Sequence, residues 1–159
     1  MAANTDALST SQWQLRAAAA DDLGEVLRLY AQPDFYDGEV PSVAQAQEVF
    51  ARMSRYPDYG LYVVENAESR IVGTFALLVM DNIGHMGRPS AIVEDVAVDP
   101  ALHGQGLGRW MMAQALDLAR GKQCYKLVLS SNLKREKAHA FYRALDFEQH
   151  GYSFRVRES

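Results

Sequence analysis

Cysteine is nearly absent from this sequence. Its one cysteine among 159 residues, Cys124, rules out an intramolecular disulfide and any zinc site built from several thiolates. Beside Tyr125 it reads as a small buried hydrophobe rather than a nucleophile, and such cysteine usage fits a reducing cytoplasm. No apolar run reaches the roughly 18 residues of a membrane span. The opening stretch, MAANTDALSTSQ, has neither the basic cluster nor the apolar centre of a secretory leader. A cytoplasmic protein without membrane contact is the expectation. Positive charge is also in the minority: 16 Lys and Arg against 20 Asp and Glu leave a net charge of −4. A phosphate polymer finds no electrostatic footprint here, so nucleic acid is not expected as a partner. His, Cys and carboxylates nowhere fall at metal-ligand spacing, and no metal is expected. With 11 glycines, 5 prolines and no internal repeat, the chain is neither fibrous nor of low complexity.

What remains is the composition of one globular domain, 48% hydrophobic and 23% charged. A chain this long buries roughly 70% of the surface it exposes when unfolded, enough for a core and a cleft without covalent staples. The expectation is a loose tail over residues 1–12 and a single domain over 13–159. Trp13 to Arg16 reads as a strand, and Asp21 or Asp22 can cap the helix whose buried stripe is Leu23, Val26, Leu27 and Tyr30. Turn formers fill 32–41. Ser42 with Gln45 then predicts a capping box for a second helix burying Val43, Ala46, Phe50 and Met53. Tyr59 to Val64 and Arg70 to Met80 read as an antiparallel hairpin. Ala91 to Val98 is the next strand, and Leu107, Met111, Ala115 and Leu118 repeat at helical spacing from Gly106 to about Arg120. A strand over Tyr125 to Ser130, a helix over Arg135 to Leu145 and a pair of short strands within Phe147 to Val156 complete an α/β order with an antiparallel middle and a late strand–helix–strand crossover.

Between the strand ending at Val98 and the following helix lies His103-Gly-Gln-Gly-Leu-Gly108. Glycines there allow backbone N–H groups to converge on an anion at a helix N-terminus. No Gly-Lys-Ser or Gly-Lys-Thr closes the loop, and Gly104, Gly106 and Gly108 are spaced GxGxG rather than GxGxxG, which weakens two common nucleotide readings. Residues 96–109, VAVDPALHGQGLGR, resemble the acyl-CoA loop of the GNAT superfamily of N-acetyltransferases, which reads Gln or Arg, two residues, Gly, one residue, then Gly or Ala. The likeness extends to Leu15-Arg-Ala-Ala18 and to Ala138-His-Ala-Phe-Tyr-Arg-Ala-Leu-Asp-Phe147, so it covers nearly the whole chain from Trp13. Three positions depart from it: His103 replaces the Gln or Arg, Arg135 replaces an Asn three residues before Ala138, and Asp146 replaces a Gly. The resemblance implies a mostly antiparallel mixed sheet with a splayed parallel strand pair, flanked by about four helices. It also implies acetyl-CoA as cosubstrate, held at Val96, Val98, His103, Gly104, Gly106, Gly108 and Arg109. The family's frequent dimers make a homodimer the expected assembly.

Moving an acetyl group from a thioester to an amine requires a base for the amine, a donor to the oxyanion and a proton for the departing thiolate. Glu94, among Ile92, Val93 and Val96, is a carboxylate in apolar company and the candidate base; Asp95 next to it is the alternative. Tyr142 shares a helical stripe with Ala138, Phe141 and Leu145, which by periodicity alone makes it a buried aromatic. The resemblance makes it the general acid toward the coenzyme sulfur. By the same resemblance the Val96 N–H donates to the thioester oxygen and Val98 pairs with the pantetheine amides. His85 and Arg88, in the loop before the catalytic strand, and Tyr36, between the first two helices, are the candidate substrate-binding residues. Asp34, Asp37 and Glu39 beside Tyr36 suit an amine, and Arg88 suits an anionic group on the same molecule. The expected activity is acetyl transfer to a primary amine of a small molecule. Protein or peptide N-acetylation and a non-catalytic acyl-CoA-binding regulatory domain are the alternatives.

Overall fold

The computed structural model describes residues 12–33, 35 and 38–157. The expected tail therefore lies outside the described residues except for Gln12, and so do Asp34, Tyr36 and Asp37. Five strands, β1 (Gln14–Ala17), β2 (Tyr59–Glu65), β3 (Ile71–Met80), β4 (Ser90–Val98) and β5 (Lys126–Val128), form one sheet in that order. The first three pairings are antiparallel and the last, β4 with β5, is parallel. Four helices flank it: α1 (Leu23–Tyr30), α2 (Val43–Met53), α3 (Leu107–Gly121) and α4 (Glu136–Arg143). Among the described residues no helix is long and apolar enough to cross a membrane.

Local chemistry sets the element boundaries. Ser42 accepts from the Gln45 N–H at 3.2 Å while the Gln45 side chain accepts from the Ser42 N–H at 2.9 Å, the reciprocal cap that fixes where α2 begins. Asp146 ends the turn after α4 at φ +62, a left-handed position where an Asp costs less than most residues. Arg16 ties β1 to its neighbours, pairing with Asp22 and with Glu65 at 2.6 Å each.

The sheet has a core on each face. On one, Leu23, Val26, Leu27 and Leu29 of α1 pack on Leu61, Val63, Ile71, Ala76 and Ala97. On the other, Leu107, Met111, Met112, Ala115 and Ala119 of α3 pack on Val64, Val72, Phe75, Leu77, Ala91 and Val93. Leu29, Val63, Phe75, Leu107 and Met111 are completely buried, and each large side chain so removed from water contributes about 1.5–3 kcal/mol.

The two final strands expected within Phe147 to Val156 do not form: residues 147–157 contain no strand. The period-two pattern is there, but a strand exists only against a partner edge, and among the described residues none pairs with this segment. β5 is likewise shorter than expected, because its ladder with β4 ends at Ile92–Val128.

Candidate active site

The end of the β4–β5 ladder creates the site. Parallel partners run Ser90–Lys126, Ala91–Leu127 and Ile92–Val128 and stop there, while β4 continues to Val98. Beyond Ile92 the two strands diverge, and one edge of β4 faces a gap instead of a neighbour. At that point β4 carries a bulge. Glu94 pairs with Ala76 and Ala97 with Thr74, so Asp95 and Val96 together face Phe75 alone. Asp95 absorbs the extra residue at φ +54.

The bulge reverses the alternation of the strand. Ala91 and Val93 belong to the α3 core, yet Ala97, of the same parity, lies in the α1 core, and Val96 and Val98 have joined the α3 side. Glu94 stands in one row with Ala76 and Leu61, on the α1 face. Asp99 N–H donates to the Val72 carbonyl at 2.8 Å, which directs the backbone N–H and C=O of Val98 the other way, into the gap. The Val98 carbonyl already has protein partners, Gln32 Nε2 at 3.0 Å and His103 Nε2 at 3.2 Å. His103 thus holds the end of β4.

The loop to α3 forms an open cradle. Gly104 and Gly106 lie at φ +77 and +89, and a Cβ at either would meet nothing within 4 Å, so conformation and not crowding requires glycine there. Gly106 precedes α3 with no side-chain cap, the first turn holds no acidic residue, and the first helical bond runs from Trp110 N to Gly106 O at 3.0 Å. The N–H groups of Leu107, Gly108 and Arg109 therefore point out of the helix end without an intrahelical acceptor, a site for a diphosphate. Gly108 has a packing role as well: a Cβ there would come within 3.0 Å of Phe141 Cζ. The Arg109 guanidinium donates to the Ala144 carbonyl at 3.2 Å, joining the start of α3 to the end of α4.

Across the gap, Ser131 Oγ is buried with no hydrogen-bond partner, three residues beyond the last paired residue of β5. A buried hydroxyl in that state costs about 1–3 kcal/mol, which a bound polar group recovers. The splayed edge, the uncapped helix end and this hydroxyl fit a ligand with a diphosphate at one end and an amide-bearing arm, as in acetyl-CoA. Tyr142 of α4 packs edge-on against Phe141 and Phe147, at centroid distances of 5.2 and 5.7 Å. Burial pushes its phenol up from the ordinary value, against a smaller opposing pull from Arg135, so the proton stays on oxygen at neutral pH.

Burial also raises the Glu94 carboxyl, and the like charge of Asp95 adds to it. Tyr59 is raised by burial and then by Asp95 and Glu94, which places its ring in the field of both carboxylates. Tyr59 opens β2 opposite Leu78, one row from Glu94 on the same face. The sequence reading missed this residue, since only strand register brings it there.

His85 stacks on Tyr125 with ring centroids 3.9 Å apart, and Arg88 Nη2 lies 3.5 Å from the Cys124 carbonyl. Both sit at the entry of β4. Six residues of extended chain, about 20 Å, separate Arg88 from Glu94. Glu39 is exposed, and Tyr36 lies outside the described residues. Among the described residues no three His, Cys, Asp or Glu side chains come together as a metal site.

The chain is similar to known proteins. The chain is 37% identical over 87 residues to a glucosamine 6-phosphate N-acetyltransferase of Trypanosoma brucei brucei, covering 55% of this chain and 57% of the relative. It is 39% identical over 59 residues to the N-alpha-acetyltransferase RimI of Mycobacterium tuberculosis (strain ATCC 25618 / H37Rv), covering 37% and 35%. The chain thus spans a little over half of one curated relative and about a third of the other. A solved structure from Agrobacterium tumefaciens str. C58 is 32% identical with a TM-score of 0.82, over 91% of this chain and 99% of that one. Residues 22–147, which hold the bulged strand, the glycine loop and Tyr142, match the acetyltransferase (GNAT) family, and the chain belongs to it.

Proposed function

We propose that this protein transfers the acetyl group of acetyl-CoA to a primary amine of a small molecule, by direct attack in a ternary complex. The observation that supports the reading is the parting of β4 and β5 after Ile92, with Glu94 on the α1 face of β4 and Tyr142 packed on the α3 side. When bound, acetyl-CoA supplies an acyl group already activated as a thioester. Gly104, Gly106, Gly108 and Arg109 bind its diphosphate through backbone N–H groups, and the strand edge at Val98 aligns its arm. Glu94, ionised, takes the proton of the attacking amine, directly or through one water. Val96 N–H donates to the carbonyl oxygen as negative charge develops on it. Tyr142 keeps its proton until the sulfur departs and then gives it up. No covalent enzyme intermediate is required, and Cys124, held in its thiol form by burial, takes no part.

The relative acting on glucosamine 6-phosphate supports a small anionic amine as acceptor. The likeness to RimI supports a second reading, a peptide N-terminus. Measuring CoA release with amino-sugar phosphates, aminoalkylphosphonates, their uncharged analogues and peptides decides between them. Preference for the phosphorylated or phosphonylated amine supports the first reading. Preference for the peptide replaces it with the second, and CoA release indifferent to every amine removes both.

A further inference from the structure

On the face of the sheet that carries Glu94, one row of side chains is only partly covered. Tyr59 pairs with Leu78, Leu78 with Ile92 and Ile92 with Val128, so β2, β3, β4 and β5 each place one apolar residue in line. Strands about 4.8 Å apart make this row about 14 Å long. All four residues are half-buried, and only Tyr59 joins the α1 core; Leu78, Ile92 and Val128 belong to neither core. Met80, two residues beyond Leu78 and on the same face, is 38% exposed and widens the strip. The row meets the site at two points. Ile92–Val128 is the last pair before β4 and β5 part, so the row crosses the mouth of the gap. Ile92 also precedes Glu94 by two residues of extended strand, about 6.5 Å. Carboxylate and hydrocarbon therefore lie side by side, one suited to an ammonium group and the other to a carbon skeleton.

We propose that this row determines which amine the protein accepts, and that the acceptor carries its nitrogen on an apolar skeleton, alkyl or aryl, which lies along the row while the nitrogen faces Glu94. The inference rests on the reading of the site as one of acetyl transfer to a small-molecule amine, and names the part of that molecule next to the nitrogen. Each methylene moved from water onto such a surface favours binding by up to about fourfold. A hydroxylated sugar ring gains less there, because its hydroxyls give up water without finding a partner. For the same reason an anionic group on the acceptor must lie beyond the row. Leu78 and Val128, far from each other in sequence and absent from every catalytic step, thereby become specificity-determining residues.

The test is CoA release by the full chain with n-alkylamines from propylamine to heptylamine, whose nitrogens are equally basic, and with glucosamine 6-phosphate. In the wild type kcat/KM is expected to rise about twofold to fourfold per methylene, chiefly through a falling KM, and to be higher for heptylamine than for the sugar phosphate. Leu78→Thr puts a hydroxyl in the row and keeps a strand former; it should lower kcat/KM for heptylamine at least about fivefold more than for propylamine. Val128→Thr, nearly equal in volume, makes the same change at the other end of the row, and the wild-type series decides alone if neither variant folds. Amine-dependent release that is flat or falling along the series, or that favours glucosamine 6-phosphate, overturns the inference and leaves acetyl transfer standing. A rise that neither substitution alters places the skeleton elsewhere and overturns it too. Release indifferent to every amine removes the proposed transfer itself, and this inference with it.

Discussion

Glu94 and Tyr142 belong to opposite faces of one sheet: Glu94 shares a row with Ala76 and Leu61 on the α1 side, whereas Tyr142 packs into the α3 core. An unbroken ladder would keep them apart. The ladder between β4 and β5 breaks after Ile92, two residues before Glu94, so a thin ligand lying in the gap can be reached from both sides. In the proposed mechanism this arrangement suits a step that takes a proton on one side of the ligand and returns one on the other.

Tyr142→Phe removes the hydroxyl and leaves the ring packed against Phe141 and Phe147. Turnover should fall by about a hundredfold to ten-thousandfold, while acetyl-CoA affinity measured by calorimetry stays within a factor of two or so. Equal losses in affinity and turnover would assign Tyr142 to binding.

Asp95→Asn separates the two carboxylates. Asn tolerates the left-handed conformation at this position, so the bulge survives while the like charge that raises Glu94 disappears. With one amine throughout, the acid limb of kcat/KM should move to lower pH and the plateau should remain. Loss of the plateau instead identifies Asp95 as the base.

The raised Glu94 also acts on stability. The folded protein binds this proton more tightly than the unfolded chain, so the contribution of Glu94 falls as pH rises from the ordinary glutamate value through the raised one. Glu94→Gln should therefore melt at a higher temperature than the wild type above that window and at the same temperature below it, while turnover drops. A variant that melts lower at neutral pH would show that Glu94 is held by a favourable partner.

Gly106→Val places a β-branched residue at φ +89, a conformation that L side chains rarely adopt. The loop must rearrange, and the rise in melting temperature given by acetyl-CoA should vanish. In the wild type a ligand at a hundredfold over its Kd adds about 2.7 kcal/mol to unfolding. An undiminished shift in the folded variant takes the diphosphate away from this loop.

Ser131→Ala makes opposite demands on the free and bound protein. Removing an orphaned hydroxyl should leave the free protein as stable or more so, whereas acetyl-CoA binding should weaken by the value of one hydrogen bond, about 0.5–1.5 kcal/mol or roughly twofold to twelvefold. Unchanged affinity by calorimetry would mean that Ser131 faces no part of the ligand.

Much of this was legible in the sequence because it rests on local chemistry. The Ser42–Gln45 cap and the helical stripe of Leu107, Met111 and Ala115 each depend on neighbours within a few residues. The bulge was not legible: plain alternation puts Ala97 with Val93, and only the pairing with β3 shows that an extra residue has been inserted at Asp95. Tyr59 was hidden for the same reason, since 35 residues separate it from Glu94 and strand register alone joins them. His103, which by resemblance fills the place of a Gln or Arg in the loop, turns its ring back to the Val98 carbonyl, a contact that no spacing in the sequence announces. In the last segment alternation predicts a pair of short strands that do not form, since no pattern within a segment specifies an edge for it to pair with.

The central claim, acetyl transfer within a ternary complex across the gap beside Glu94 and Tyr142, is tested most directly by initial rates of CoA release. These are measured at varied acetyl-CoA and varied amine, with the acetylated amine identified by mass spectrometry. The account predicts amine-dependent release, intersecting double-reciprocal lines and one acetylated product per CoA. Parallel lines, or CoA release at the same rate with and without amine, would contradict it.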